Sequence, residues 1–181
     1  MTKKYIALLR GINVGGNNKI AMPALKAAFE AEGFTGVSTY INSGNVLFTA
    51  GGGAAALQAK CEGLIAKHFS LDIAVAVIAA EELAEALAHA PAWWNADSGA
   101  KHNAIFVLPT ATTEEVFAEV GEAKPEYENV ACHGRVIFWS APLQTFSHTR
   151  WAKVAGTAAY QKITIRNANT TLKLAALAQQ G

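Results

Sequence analysis

The sequence predicts a protein of the α+β class, built from two tandem ferredoxin-like (βαββαβ) units of which the second is less regular. Three observations lead to this prediction. Of the 181 residues, 51% are hydrophobic and only 16% are charged, which is enough apolar material for a packed core. Strand-like and helix-like apolar patterns alternate in the order β-α-β-β-α-β within about the first 78 residues. A weaker copy of the same order follows.

Short, well-bounded segments predict the first copy. Pro23 is typical of a first helical position and Gly33 of a helix end. Ser43-Gly44 favours a two-residue hairpin turn. The predicted elements, in order, are a strand at Tyr5–Leu9, a helix from Pro23 to Gly33, paired strands at Val37–Ile41 and Val46–Thr49, a helix over Leu57–His68 and a strand at Ile73–Ile78.

The second copy follows a short helix and a tryptophan-rich loop. Thr112 with Glu115 indicates a capping box at a helix start. The predicted elements are a strand at Asn103–Leu108, a helix after Thr112, a hairpin of Tyr127–Cys132 with Arg135–Ser140, a helix near Thr149–Ala155, a strand at Ile163–Ile165 and a helix over Thr170–Gln179. We therefore predict a ferredoxin-like unit over residues 1–80, a helix and Trp-rich linker over 81–101, and a second α+β unit with a C-terminal helix over 102–181.

Positive charge is concentrated toward the two ends of the chain. Residues 1–29 carry a net charge of +5 and residues 129–181 a net charge of +6, and neither segment contains an acid. All 14 acids lie between Glu30 and Glu128, where the net charge is −10. If the fold brings the ends together they form one basic face; otherwise acidic helices simply cluster in the middle.

The composition argues against several classes of protein. No apolar stretch approaches the roughly 18 residues of a membrane span. Cys61 and Cys132 form neither a CxxC motif nor a disulfide framework, and the five histidines show no metal-ligating spacing. We expect a cytoplasmic protein without a membrane anchor or a metal site, and the sequence leaves any cofactor unknown.

Three polar segments could bind an anion. In the first, Arg10 and Lys19 bracket a Gly/Asn-rich connection whose backbone N–H groups suit a phosphate or carboxylate. The second, Tyr40–Asn45, surrounds a turn, and the third, Thr164–Lys173, precedes and starts a helix capped by Asn169 or Thr170. A flexible connection, ordinary turn chemistry and an ordinary cap are the alternatives. The predicted anion-binding residues are Arg10, Asn13, Gly15, Gly16, Lys19, Ser43, Asn45, Arg166, Asn167, Asn169, Thr170 and Lys173.

These segments carry a family resemblance. ALLRGINVGGNNKI at 7–20, VSTYINSGNVLF at 37–48 and TIRNANTTLKL at 164–174 resemble the bacterial family known only as domain of unknown function number sixteen-ninety-seven. The resemblance extends over nearly the whole chain. It implies an α+β fold with ferredoxin-like units and a bacterial cytosolic setting, but no activity, substrate or catalytic residue. Members typically have tryptophan where this chain has Ala168, which argues against stacking at that place.

The leading hypothesis is a binding protein for a small, phosphate-bearing anion, provided that the basic and glycine-rich segments face one pocket. A nucleic-acid-binding module is an alternative, although no RNP1 pattern is present. An enzyme acting on a phosphorylated or acyl substrate is another, with Tyr40, Ser43 and His148 as candidates by chemistry alone. An oligomeric structural protein with tryptophans at its interface is the third. The oligomeric state cannot be predicted.

Overall fold

The computed structural model describes residues 1–180 and confirms a mixed α+β architecture with two four-stranded antiparallel sheets. The chain divides into two compact units. Unit 1 comprises Met1–Leu83 and the chain from Leu174 onward, and unit 2 comprises Ala84–Lys173.

Unit 1 contains the first sheet, with its strands in the order β2-β3-β1-β4. Its elements are β1 (Thr2–Leu9), α1 (Met22–Ala31), β2 (Thr35–Tyr40), β3 (Asn45–Gly51), α2 (Ala54–Phe69) and β4 (Val75–Ala79). Strand β1 is central because its apolar run is paired on both sides, with Ile6 opposite Leu47 on one side and Ile78 on the other. A following helix, α3 (Ala80–Ala88), crosses the division between the units.

Aromatic residues fill the core between this sheet and its helices. Phe34 and Phe48 have ring centroids 4.7 Å apart, and Phe29 lies 5.4 Å from Phe34. The C-terminal residues of the chain complete unit 1: Leu177 and Ala178 line a cavity of about 280 Å³ together with Leu47 and other residues of the sheet.

Unit 2 contains the second sheet, in the order β6-β7-β5-β8. Its elements are β5 (Ala100–Val107), α4 (Thr113–Val120), β6 (Asn129–His133), β7 (Val136–Pro142), β8 (Ile163–Asn167) and α5 (Ala168–Ala178), whose last residues belong to unit 1. The core packs around Trp151, which is 2% exposed and meets the Phe117 ring edge-on at 5.0 Å.

A buried carboxylate in unit 2 forms hydrogen bonds to one strand and two loops. Glu128 is 3% exposed and accepts four N–H donors: Oε1 from Trp139 Nε1 at 2.9 Å and the Trp151 amide at 3.0 Å, and Oε2 from the amides of Lys124 at 2.9 Å and Arg150 at 2.8 Å. Burial acts to raise the pKa of Glu128, but these donors outweigh it and the pKa lies below its ordinary value. Both carboxylate oxygens are therefore used to join β7 to two loops.

Three local predictions were wrong. The β2–β3 turn has four residues, Ile41–Gly44, because Tyr40 pairs directly with Asn45. The helix predicted near Thr149–Ala155 is a 3₁₀ helix over Trp151–Gly156, since its non-helical Lys153 interrupts regular α geometry. Helix α5 begins at Ala168, so neither Asn169 nor Thr170 is its cap. The capping box of Thr112 and Glu115 is confirmed.

Among residues 1–180, the helices are all too short or too polar to cross a membrane.

Candidate functional site

In the first polar segment, Asn13 holds the connection between β1 and α1 together. Its backbone is left-handed, with φ of 55°. Its Nδ2 donates to the carbonyls of Ile20 at 2.9 Å and Asn42 at 2.8 Å, and its Oδ1 accepts from the Ile20 amide at 2.9 Å. An asparagine with three backbone partners is a structural clamp for two loops, since little of its hydrogen-bonding capacity remains.

Gly15 and Gly16 form the tip of a tight turn. Val14 and Asn17 pair as an isolated antiparallel bridge, and the Asn17 amide donates to the Val14 carbonyl at 2.9 Å. The two glycines between them have φ of 58° and 78°. Two consecutive positive φ values are typical of a type I′ turn, which glycine forms without strain. Lys19 is exposed, and the backbone N–H of Arg10 donates to the Ala74 carbonyl at 3.0 Å.

The polar side chains of the second segment also form hydrogen bonds within the fold. Asn45 is fully buried, and its Nδ2 donates to the Tyr40 carbonyl at 2.8 Å and to Ser43 Oγ at 2.9 Å. Gly44 is required because an added Cβ would lie 2.7 Å from Ile12 Cδ1 at a φ of 88°. The side chains of Asn45 and Ser43 therefore stabilise the turn through hydrogen bonds within it.

The third segment lies in unit 2, at the junction of β8 and α5. Arg166 is 8% exposed, and its Nη1 donates to the Ile165 carbonyl at 2.9 Å. Burial lowers the pKa of Arg166 to about 10, so its guanidinium still carries a charge at neutral pH. Asn167 Oδ1 accepts from the Thr170 amide at 2.8 Å, which makes Asn167 the residue that caps α5. Lys173 is exposed one turn further along the helix.

A cavity of about 510 Å³ opens beside this junction within unit 2. We call it the asparagine pocket. Its polar lining residues are Asn95, Lys101, His102, Asn103, Asn167 and Asn169. Asn103 and Asn167 are cross-strand partners in β5 and β8, which brings the ends of these strands to the same wall. Of the twelve predicted residues, Asn167 and Asn169 line this pocket.

Two side chains fix the loop that contributes Asn95–Asp97 to the lining of the pocket. His102 Nδ1 accepts from the Asn95 amide at 3.0 Å and contacts Ser140 Oγ, so the ring proton is on Nε2. Nε2 then donates to the Asp97 carbonyl at 2.8 Å, with Asp97 Oδ1 at 3.1 Å. Trp94 Nε1 donates to the Asn103 carbonyl at 2.9 Å. These bonds hold the wall in place before any ligand arrives.

The electrostatics of the pocket combine a cation with a helix start. Lys101 is exposed at its rim, and the first turn of α5 contributes Ala168 and Asn169. The positive end of a helix and a lysine both favour an anion. Asp97 is the acid of the lining, and its Oδ1 faces His102 Nε2. The carboxamides of Asn95, Asn103 and Asn169 supply both donors and acceptors.

Sequence reasoning missed Lys101, His102 and the wall from Asn95 to Asp97. The sequence predicts a linker over this region because it is rich in tryptophan and turn residues. A signal was present: Trp94 and His102 flank the loop, and both side chains carry polar groups that need partners when buried. A loop flanked by two such side chains, each with a polar group that needs a partner when buried, is predicted to be anchored.

Two of three comparisons relate this chain to known proteins. The family model described as "Protein of unknown function (DUF1697)" matches residues 1–138. The chain is similar to a solved structure described as that of the conserved bacterial protein SP0830 from Streptococcus pneumoniae, with 31% identity and a TM-score of 0.88. That match covers 99% of this chain and 100% of the other, and so extends beyond the range of the family model. No curated protein matches the chain.

Proposed function

This chain belongs to the DUF1697 family of bacterial proteins of unknown function, and we propose that it binds a small anionic, phosphate-bearing ligand in the asparagine pocket. The observation that carries the proposal is the joint presence of Lys101, the first turn of α5 and several carboxamides around one cavity of about 510 Å³. A volume of roughly 300–1,000 Å³ is typical of small-molecule sites.

Each part of the lining has a defined role in this proposal. Lys101 Nζ and the backbone amides at the start of α5 bind the phosphate or carboxylate group. Asn95, Asn103 and Asn169 orient the uncharged remainder of the ligand, since a carboxamide both donates and accepts hydrogen bonds. His102 positions the wall and does not itself reach for the ligand, because both ring nitrogens have protein partners.

We also propose that both units are ferredoxin-like. The support is twofold: the first unit follows the order βαββαβ along the chain, and the two sheets share one spatial order, β2-β3-β1-β4 and β6-β7-β5-β8. In such a sheet the first and third strands of each unit are central. The asparagine pocket then lies at the end of one central and one edge strand, β5 and β8.

Calorimetric titration with inorganic phosphate, pyrophosphate, adenosine monophosphate and short oligonucleotides tests the proposal, with a neutral sugar as the negative probe. We expect Lys101→Gln to weaken binding of the best anion about tenfold, because a charge-assisted hydrogen bond contributes roughly 1.5–3 kcal/mol. Asn169→Ala should weaken it about fivefold, because a neutral hydrogen bond contributes roughly 1 kcal/mol. Both residues are exposed, so their variants should fold normally.

Lys173→Gln is the matched control. It removes the same charge from an exposed lysine on α5, but Lys173 does not line the pocket. Retained affinity in this control together with weakened binding in Lys101→Gln supports the pocket. Equal affinities in all three variants, or binding of the neutral sugar as tightly as the anions, would overturn the assignment. A preference for oligonucleotides with steep salt dependence would favour a nucleic-acid partner instead.

A further inference from the structure

We propose that unit 2 has a second site, a surface site for a divalent transition-metal ion such as Zn²⁺, formed by Glu85, His89 and His133. One ligand atom from each of these three side chains lies within 4.8 Å of the other two. We call this group the Glu85 cluster. It shares no residue with the asparagine pocket, so it is independent of the proposed anion binding.

Helical spacing brings two of the three ligands together. Glu85 lies in α3, and the turn continues to His89, whose amide donates to the Ala86 carbonyl at 3.0 Å. Residues four apart project from the same helix face. Glu85 Oε1 and His89 Nδ1 are accordingly 3.6 Å apart.

The third ligand comes from a different element. His133 is the last residue of β6, at the tight connection to β7. Its Nε2 lies 3.8 Å from Glu85 Oε1, and its ring stacks on that of His89 with centroids 4.1 Å apart and an interplanar angle of 10°. The two imidazoles therefore lie side by side beside one carboxylate.

To bind one ion, the carboxylate distances of 3.6 and 3.8 Å must shorten slightly, and the two stacked rings must tilt until both nitrogen lone pairs point at the ion. Ligand bonds of roughly 2.0–2.2 Å in a tetrahedron place ligand atoms about 3.3–3.6 Å apart. The side chains of Glu85, His89 and His133 are 63%, 52% and 36% exposed, so each can rotate without disturbing the core. The fourth position would be open to water.

The chemistry of the ligand set selects the type of ion. Two imidazole nitrogens and one carboxylate oxygen suit zinc and similar cations, whereas Mg²⁺ and Ca²⁺ require mostly oxygen ligands. His89 Nδ1 lies 3.0 Å from the Glu85 carbonyl. Metal binding through Nδ1, the nitrogen 3.6 Å from Glu85 Oε1, replaces that contact and releases any proton that Nδ1 carries.

Calorimetry of metal-stripped protein lacking any polyhistidine tag, titrated with Zn²⁺, tests the proposal, with Co²⁺ visible absorption as a second readout. We expect one ion per chain and at least a tenfold loss of affinity in both Glu85→Gln and His133→Gln. All three ligands are on the surface, and circular dichroism will verify that the variants are folded.

His68→Gln is the matched control, because His68 Nε2 also lies beside a carboxylate, 3.0 Å from Glu32 Oε1, without a second histidine in that ion pair. Unchanged affinity in the control with loss in the two cluster variants supports the site. Absence of stoichiometric binding in the wild type, or equal losses in His68→Gln and His133→Gln, would overturn it. Imidazole NMR shifts confined to His89 and His133 would support it independently of affinity.

Discussion

The two units share one strand order but use their asparagines differently. In unit 1, the carboxamides of Asn13 and Asn45 form hydrogen bonds to backbone and hydroxyl groups of the surrounding loops. In unit 2, Asn167 caps α5 with its oxygen and also lines a cavity with Asn169. Asparagines that look alike in sequence therefore form structural hydrogen bonds in unit 1 and line a cavity in unit 2. A motif indicates a ligand site only where the fold leaves hydrogen-bonding groups unused.

The units also differ in how their elements are anchored. Unit 2 contains the buried Glu128 and the capping box of Thr112, whereas the N-cap residues of α1 and α2 in unit 1, Ala21 and Gly53, form no side-chain cap hydrogen bond. All four tryptophans fall within unit 2, so tryptophan fluorescence reports on that unit, and peptide-resolved hydrogen exchange follows unit 1. The following changes test the contrast.

The largest effect should come from Glu128→Gln. A glutamine offers one acceptor oxygen in place of two, so two of the four N–H donors lose their partner inside the protein. We expect a loss of about 3 kcal/mol in the free energy of unfolding, measured by urea denaturation with tryptophan fluorescence. The exposed Glu126→Gln is the control and should leave stability unchanged.

The same carboxylate predicts the pH dependence. Its folded pKa is lowered, so its contribution is present above the unfolded pKa of roughly 4.3 and is lost as pH falls through the folded value. The stability difference between wild type and Glu128→Gln should therefore shrink as pH is lowered below about 4. A difference that stays constant down to the lowest pH at which unfolding can be measured would contradict this role.

Asn13→Ala should have the next largest effect, about 2 kcal/mol. It removes the side-chain bonds to Ile20 and Asn42, and it places alanine in a left-handed conformation that adds roughly 1–2 kcal/mol of strain. Asn13→Gly loses the same bonds without the strain and should be less harmful. Hydrogen exchange of peptides covering residues 10–21 will measure both, and equal protection in the two variants would argue against the strain.

Thr112→Ala should destabilise unit 2 by about 1 kcal/mol, because it removes the Oγ1 that accepts from the Glu115 amide at 3.2 Å. Thr112→Ser keeps an equivalent oxygen and serves as the control. Fluorescence-monitored unfolding will separate them, and an alanine variant as stable as the serine variant would show that the box contributes nothing.

Gly53→Ser should give the smallest effect, a gain of about 0.5 kcal/mol in unit 1. Gly53 is the uncapped start of α2 with an extended backbone, and an added Cβ meets nothing within 4 Å. A serine there supplies the missing acceptor and restricts the unfolded chain. Gly52→Ser, at a φ of 96°, should instead lower stability. Protection of α2 peptides in hydrogen exchange distinguishes the two.

Most of the fold was predictable from the sequence, because short apolar runs and punctuating residues such as Pro23 and Gly33 act locally. The candidate site was harder to predict from the sequence. The pattern of a helix start predicted Asn167 and Asn169 as site residues. Lys101 and His102 lie in β5, which is distant from them in sequence. The Glu85 cluster joins a helix to a strand end 44 residues beyond His89, which no local spacing reveals. That Arg10 and Arg166 serve one ligand stays a prediction.

The division of α5 has a consequence for biosynthesis. The residues that line the cavity of unit 1 with Leu47 include Leu177 and Ala178, which are translated after every residue of unit 2. Unit 2 has all its residues once Lys173 has been translated, while unit 1, begun first, still lacks its final turns. During translation unit 1 therefore waits for residues that follow unit 2, which reverses the usual order in which the first domain made is the first to fold.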